Sequence, residues 1–175
     1  SRGLGDVYKR QKLMGGKKPF VNKLQMVFDE GLYDPANEPD IAYAHLFSYF
    51  KGEEWRTQKE TQRLLDKYFT TKPDGIPGND DTGTMSAWAI FNMIGFYPDC
   101  PGLPEYTLTT PVFNKVTIRL DPKWYKENEL VIESNRTGSE TLYINKVLLD
   151  GKKFNKYRIT HDELVHGKRL IFDLK

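Results

Sequence analysis

The sequence predicts an α+β protein in which a helical first half precedes an antiparallel β region. In the first half, apolar residues recur at helical spacing, as at Phe20, Leu24, Val27 and Phe28. After Pro98 the pattern changes to short runs of β-branched and aromatic residues, separated by Pro, Gly, Asn and Asp. Strands that follow one another without intervening helices favour an antiparallel sheet of the sandwich type.

Four helical segments are predicted in the first half. They run from about Pro19 to Gly31, from Ile41 to about Gly52, from Glu53 to Phe69, and from Thr84 to Ile94. The last segment is apolar almost all round, which predicts burial on most sides, as in the inner ring of a helical barrel.

The predicted strands lie in the second half. They cover residues 106–109, 112–120, 130–134, 141–149 and 169–174. Asp150-Gly151 indicates a tight turn into a further strand. We place the boundary between the halves near residues 98–104, where prolines and a glycine cluster.

Composition excludes several classes of function. The 175 residues carry a net charge of +2, with 26 basic and 24 acidic residues interspersed, so no basic stripe indicates nucleic-acid binding. The longest apolar stretch, from Ala87 to Phe96, contains Asn92 and is too short to span a bilayer. The only cysteine, Cys100, can form no internal disulfide.

The chain is expected to consist of three parts. Residues 1–11 lack the apolar core of a signal peptide and join poorly to the helix entry that follows, so we predict that they are non-native sequence. Residues 12–98 form the predicted helical part, and residues 99–175 form the predicted β region.

A glycine-rich loop carries the first candidate site. Asn79, Asp80 and Asp81 lie on it, directly before the apolar helix at Thr84. Such carboxylates suit general acid–base chemistry, calcium binding or sugar recognition. They equally suit the N-terminal cap of the following helix, where acidic groups face the positive end of the dipole.

A proline-rigidified turn carries the second candidate site. Glu38, between Asn37 and Pro39, is held where it could contact substrate or metal, although it could also be an ordinary first-turn acid. His45 lies one turn further, among apolar residues, which favours a core position over a ligand role. No zinc, phosphate-loop or nucleophile-elbow motif is present.

Several motifs in order extend over most of the chain. They are LMGG at 13–16, NEP at 37–39, WRTQ at 55–58, DGIPGNDDTG at 74–83, MSAW at 85–88 and GFYP at 95–98. Together they resemble the C-terminal part of glycoside hydrolase family 92, the calcium-dependent α-mannosidases.

This resemblance implies inverting, exo-acting hydrolysis of α-mannosidic bonds of glycans in an (α/α)6 barrel. It implies that Asp81 is the general base with Asp80 assisting, and that Glu38 and Asn37 contact the substrate. Asn37 stands where members acting on α-1,2 linkages tend to have His, which weakens the implication of that specificity. Asn79 is implied to contribute to a Ca²⁺ site.

The resemblance also implies what lies outside this sequence. The family's general acid belongs to an upstream segment that has no match here, so the chain is expected to be inactive without the N-terminal part of the same enzyme. Mannose-containing glycans are the implied partners, and a periplasmic or extracellular location is the implied compartment.

Two other interpretations remain open from the residues alone. The chain could be a non-catalytic carbohydrate-binding module that uses its aromatics and its acidic loop. It could also be a folding fragment with an exposed hydrophobic face.

Overall fold

A computed structural model describes residues 4–138 and 141–175, and it shows a mixed arrangement of helices and sheets. The chain divides into two compact units. The helical unit comprises the residues up to Ala89 together with Asp99–Leu103, and the β unit comprises Ile90–Pro98 and Pro104–Lys175. The α-helices are Leu4–Leu13 (α1), Lys17–Asp29 (α2), Glu54–Tyr68 (α3), Thr84–Ile94 (α4) and His161–His166 (α5).

Helix α2 buries the apolar stripe that the sequence predicts. Phe20, Leu24 and Phe28 are buried along one face. Gly31 then adopts a φ of 69° and donates its N–H to the Phe28 carbonyl at 3.3 Å. A residue in the left-handed region is a common end to a helix, so the predicted end at Gly31 is confirmed.

The second predicted helix is a 3₁₀ helix, Glu38–Tyr49, and it begins before the expected start at Ile41. Its buried residues Ile41, Ala44 and Phe47 recur every third position. That spacing places them on one side of a helix with three residues per turn, whereas an α-helix would splay them.

Polar side chains link α3 to α2. The Glu60 side chain is fully buried, with 0% exposure. It accepts a hydrogen bond from Gln25 Nε2 at 2.9 Å and pairs with Arg63 Nε at 2.7 Å. A buried carboxylate needs such partners because desolvation of an unpaired charge is costly.

Helix α4 begins and ends at the predicted residues. Met85 and Trp88 are almost completely buried, but Ile90 is 56% exposed. All other residues of α4 are buried or half-buried, so the expectation that α4 is buried on most sides is confirmed, with Ile90 as the exception.

The β unit contains two sheets in the described residues. One has the strand order β1-β2-β7, and the other has the order β3-β4-β8-β5-β6. The strands are Phe96–Tyr97 (β1), Glu105–Leu108 (β2), Lys115–Arg119 (β3), Glu129–Arg136 (β4), Ile144–Leu149 (β5), Lys152–Phe154 (β6), Arg158–Thr160 (β7) and Arg169–Leu174 (β8).

The expected all-antiparallel arrangement is wrong for one pair of strands. Strand β8 runs parallel to β4, with Val131 opposite Arg169 and Arg136 opposite Leu174, and antiparallel to β5. A parallel pair needs a long connection, and the chain supplies one that contains β5, β6, β7 and α5.

Helix α5 is an element that is absent from the segments predicted from the sequence. The Thr160 side chain accepts the Glu163 N–H at 3.0 Å, and Glu163 Oε2 accepts the Thr160 N–H at 2.9 Å. This reciprocal capping box is written in the sequence as Thr-x-x-Glu and could have identified the helix.

The interior of the β unit is apolar. It includes Phe96, Leu108, Leu130, Ile132, Ile144, Val147, Ile159, Leu164, Leu170, Phe172 and Leu174. The predicted Asp150-Gly151 turn is present, with φ values of 50° and 77°. These positive values are those of the hairpin turn that suits the twist of β5 and β6.

No α-helix in the described residues has the length and apolar content needed to cross a bilayer. Of the segment predicted to be non-native, residues 1–3 lie outside the described residues, and the remainder falls within α1.

Candidate active site

The acidic loop (residues 73–83) is closed at its base by two backbone hydrogen bonds. Thr70 N–H donates to the Gly75 carbonyl at 2.9 Å, and Gly75 N–H donates to the Lys72 carbonyl at 2.9 Å. A Cβ at position 75 would lie 2.1 Å from the Thr70 carbonyl oxygen, so only glycine fits there. The close packing fixes where the loop leaves α3.

The tip of the acidic loop is conformationally strained. Asp81, Thr82 and Gly83 have φ values of 48°, 59° and 91°. A β-branched residue such as Thr82 seldom adopts a positive φ. Each non-glycine residue in this region destabilises the folded state by about 1–2 kcal/mol. Strain of this kind is retained mainly at functional sites, where the surrounding structure holds it.

The two adjacent carboxylates have different surroundings. Asp80 Oδ1 accepts the Ser86 N–H at 2.9 Å, and the Asp80 carbonyl accepts the Met85 N–H at 3.1 Å. Asp80 therefore caps the first turn of α4, as the alternative interpretation of the sequence requires. Asp81 is exposed, and its carboxylate has no hydrogen-bond partner among the described residues.

The side chain of Asn79 is engaged within the loop. Its Oδ1 accepts the Asp81 N–H at 3.2 Å, which forms a local turn at the start of the strained segment. The residue is exposed. Asn79 thus holds the backbone that carries Asp81.

The Asn37 turn (residues 34–38) is also tied by its own polar groups. Asp34 Oδ1 accepts the Ala36 N–H at 3.0 Å, and the Asp34 carbonyl accepts the Asn37 N–H at 3.3 Å. Asn37 is exposed and Glu38 is half-buried at the start of the 3₁₀ helix. Both predicted substrate-contacting residues therefore lie at one helix entrance.

The structure brings the acidic loop and the Asn37 turn together within the helical unit. A Cβ built on Gly78 would lie 2.7 Å from Ala36 Cβ, so the two backbones are in close contact. Trp88 of α4 also donates its indole N–H to the Ile41 carbonyl at 2.9 Å, which joins α4 to the 3₁₀ helix. Sequence spacing gave no indication of either contact.

The donors around Asn79 fit calcium in kind. Ca²⁺ prefers six to eight oxygen ligands, and amide, carboxylate and carbonyl oxygens occur on the acidic loop. The described part of the chain assembles no group of three His, Cys, Asp or Glu side chains suited to a metal ion.

Two of the three histidines contact aromatic residues. His45 is fully buried, with its ring edge-on to Trp88 at a centroid distance of 6.1 Å, and the predicted core position is confirmed. In the β unit, His161 Nδ1 lies 2.9 Å from Tyr106 Oη, and burial raises the pKa of Tyr106.

Comparison with known proteins identifies the family of this chain. The model of the glycosyl hydrolase family 92 catalytic domain matches residues 4–175. The chain therefore belongs to glycosyl hydrolase family 92, whose solved members include α-mannosidases. The match begins upstream of residue 13, where the sequence motifs begin.

Solved structures agree with the family. The chain is 32% identical to the family GH92 α-mannosidase BT3965 from Bacteroides thetaiotaomicron, with a TM-score of 0.83 over 91% of this chain and 22% of that one. It is 30% identical to the inverting GH92 mannosidase BT2199 from the same organism, with a TM-score of 0.82 over 97% of this chain and 26% of that one.

The chain is also similar to a protein described as a glycosidase. The chain is 29% identical over 158 residues to an uncharacterized secreted glycosidase from Arthroderma benhamiae, covering 90% of this chain and 20% of that protein. The chain thus spans between a fifth and about a quarter of the length of these relatives.

Proposed function

We propose that this chain is the C-terminal part of an inverting, exo-acting α-mannosidase, and that Asp81 is its general base. The carrying observation is the contrast within the acidic loop. Asp80 is engaged as a helix cap, whereas Asp81 is exposed on a strained tip beside the Asn37 turn. An exposed carboxylate without a partner can accept a proton from a water molecule.

The proposed reaction needs two carboxyl groups, and this chain contributes one. Asp81 takes a proton from water as the water oxygen bonds to the anomeric carbon. The glycosidic bond breaks, and a carboxylic acid outside this chain donates its proton to the leaving oxygen. Inverting enzymes hold the two carboxyl groups about 6.5–9.5 Å apart to admit that water. This chain alone is accordingly expected to be inactive.

Glu38 and Asn37 are proposed to contact the sugar. Their turn is in contact with the loop that carries Asp81, so a mannose ring held by the turn lies within reach of a water on the base. Mannose-containing glycans are the proposed substrates, in keeping with the mannosidases that the chain resembles.

The test of the base is Asp81→Asn in the full-length enzyme. Loss of a general base costs about 10²–10⁴ in rate, while stability should hold because the side chain is exposed. Release of mannose from an α-mannoside measures the rate, and NMR of the first-formed anomer reports inversion. Near-normal turnover by this variant would exclude Asp81 as the base.

Two matched variants separate chemistry from capping. Asp74→Asn removes an exposed carboxylate from the same loop and should leave activity unchanged. Asp80→Asn keeps a good capping oxygen, so it should retain activity if Asp80 acts only as a cap. A loss of 10²-fold or more in Asp80→Asn would instead give that residue a chemical role.

Calcium dependence is a further part of the proposal, with Asn79 as one ligand. Carbonyl oxygens of the acidic loop, residues of the rest of the enzyme and water are the proposed sources of the remaining ligands. A calcium-specific rise in melting temperature of the full-length enzyme, reduced in Asn79→Ala, is expected. An equal rise with magnesium, or none with calcium, would count against the site.

The helices are proposed to form part of an (α/α)6 barrel, with the β unit forming part of a sandwich. Under this proposal, Ile90 is covered by helices of the rest of the enzyme. A charged residue at position 90 should then destabilise the full-length protein. Location outside the cytoplasm is proposed by analogy with the secreted relative, and fractionation of source cells tests it.

A further inference from the structure

The contact between the acidic loop and the Asn37 turn is closer than any side chain on Gly78 would allow. A Cβ at position 78 would lie 2.7 Å from Ala36 Cβ, 3.1 Å from the Ala36 carbonyl oxygen and 3.2 Å from Ala36 Cα. Carbon atoms pack at about 3.5–4.0 Å, so a methyl group here would push the two backbones apart by about 1 Å.

The Asn37 turn cannot easily yield to such a push. Ala36 is held by its N–H bond to Asp34 Oδ1 at 3.0 Å, and the following N–H is held by the Asp34 carbonyl at 3.3 Å. Pro35 further restricts the backbone between them. Because these bonds hold the turn together, a methyl group on Gly78 is expected to displace the acidic loop rather than to rearrange the turn.

The acidic loop is anchored on both sides of Gly78. Gly75 closes the base of the loop through Thr70 and Lys72, and Asp80 is bonded to the first turn of α4. Between these anchors, movement at position 78 is transmitted to the strained tip that carries Asp81.

We infer that the Ala36–Gly78 contact is a positioning contact that sets the separation between Glu38 and Asp81. Glu38 is two residues from Ala36, and Asp81 is three residues from Gly78. The inference rests on the proposed function, because it assigns the contact a role in placing the sugar against the base. It requires glycine at position 78 for catalysis as well as for backbone conformation.

The chemical consequence follows from the geometry of inversion. The attacking water must fit between the base and the sugar, and a misplacement of about 1 Å can lower the rate by about 10²-fold. The hydrogen bonds within the Asn37 turn remain in a Gly78 variant. Substrate affinity should therefore change less than turnover.

The experiment compares Gly78→Ala with a strain-matched control in the full-length enzyme. Gly31 has the same φ of +69° as Gly78 but has nothing within 4 Å of an added Cβ. Gly31→Ala therefore reproduces the backbone strain without the contact. We expect kcat to fall about 10–100-fold in Gly78→Ala, with KM within about threefold, and to stay unchanged in Gly31→Ala.

A double variant tests the contact itself. Ala36→Gly in the Gly78→Ala background removes the atom at 2.7 Å and should raise kcat severalfold, although the Ala36 backbone at 3.1–3.2 Å limits recovery. The same comparison applies if Gly78→Ala is too unstable to assay, since relief of the contact should then restore folding. No recovery in the double variant would overturn the inference.

The remaining outcomes separate this inference from the proposed function. Wild-type kcat in Gly78→Ala, alongside an inactive Asp81→Asn, overturns the positioning role and leaves the general base intact. Full activity in Asp81→Asn overturns the proposed function, and the positioning inference falls with it.

Discussion

The helical unit and the β unit are built on different kinds of interior. The helical unit buries two carboxylates, a histidine and several amides and hydroxyls. These residues are Gln25, His45, Ser48, Thr57, Gln58, Glu60, Thr61 and Asp99. The buried polar residues of the β unit are hydroxyl residues and one asparagine, namely Asn92, Thr107, Thr109, Thr110 and Ser134. Its described part buries no ionisable side chain.

The two interiors contribute differently to the protein: a polar interior fixes where side chains lie, and an apolar interior mainly adds stability. Polar groups in an interior must each find a partner, so they permit few arrangements and hold helices in register. Apolar interiors stabilise in proportion to the area removed from water. All five candidate site residues lie in the helical unit. The helical unit, which buries ionisable side chains that need partners, is therefore the unit that carries the residues of the proposed active site.

The largest expected effect is on the apolar interior of the β unit. Phe172 is fully buried at the centre of the sheet, and Phe172→Ala should lower the free energy of unfolding by about 3–5 kcal/mol. Urea denaturation measures the loss. Trp124→Ala is the control, because Trp124 is 71% exposed and should cost less than about 0.5 kcal/mol. Similar losses in the free energy of unfolding for both variants would contradict the expected importance of the apolar interior.

The next effect tests the polar interior of the helical unit. Glu60→Ala removes one of the two acceptors of Gln25 Nε2 and the partner of Arg63 Nε, and it should lower the free energy of unfolding by about 1–3 kcal/mol. The expected loss of stability is moderate because Arg63 is 42% exposed and water can replace its partner. Glu60→Gln, which keeps an acceptor for Gln25, should cost less. If the two variants were equal, the bond to Gln25 would not matter.

A smaller effect is expected at the capping box of α5. Thr160→Ala removes the acceptor for the Glu163 N–H and should cost about 1 kcal/mol by thermal or urea denaturation. Thr160→Ser retains the hydroxyl and should remain near the wild type. A serine variant as unstable as the alanine variant would mean that the methyl group of Thr160, and not the cap, is responsible.

The smallest effect is a dependence of stability on pH. The hydrogen bond from the Thr160 backbone, assisted by Lys156, lowers the pKa of Glu163 below its usual 4.5. A lowered folded-state pKa gives stability that is present above pH 4.5 and lost as pH falls through the folded value. Acid denaturation of Glu163→Gln should lack this contribution. The same acid limb in variant and wild type would contradict the assignment.

The local sequence pattern predicted those elements whose ends are marked by nearby residues such as glycine. Helix α4 runs from Thr84 to Ile94 as expected, because Gly83 and Gly95 bracket a mainly apolar segment. The 3₁₀ geometry of Glu38–Tyr49 was missed because apolar residues at third positions also occur on α-helices. Helix α5 was missed although its capping residues were visible.

The sequence pattern did not predict contacts between residues that are far apart along the chain. Nothing local to β4 and β8 indicates that they pair in parallel, since their connection contains a hairpin and a helix of its own. The same limit applied to the candidate site. Asp80 and Asp81 are adjacent in the chain, and only the structure separates the capping carboxylate from the exposed one. The approach of Gly78 to Ala36 likewise depends on the tertiary fold.

The place of β8 in its sheet has a consequence for folding order. Strand β8 is the last of these strands to leave the ribosome, yet it lies in the middle of the sheet, between β4 and β5. Its register joins Val131 to Arg169, so closing the pair requires a loop of more than thirty residues. Distant pairing of this kind is slow. Until β8 has been synthesised, therefore, β4 and β5 have no strand between them with which to pair.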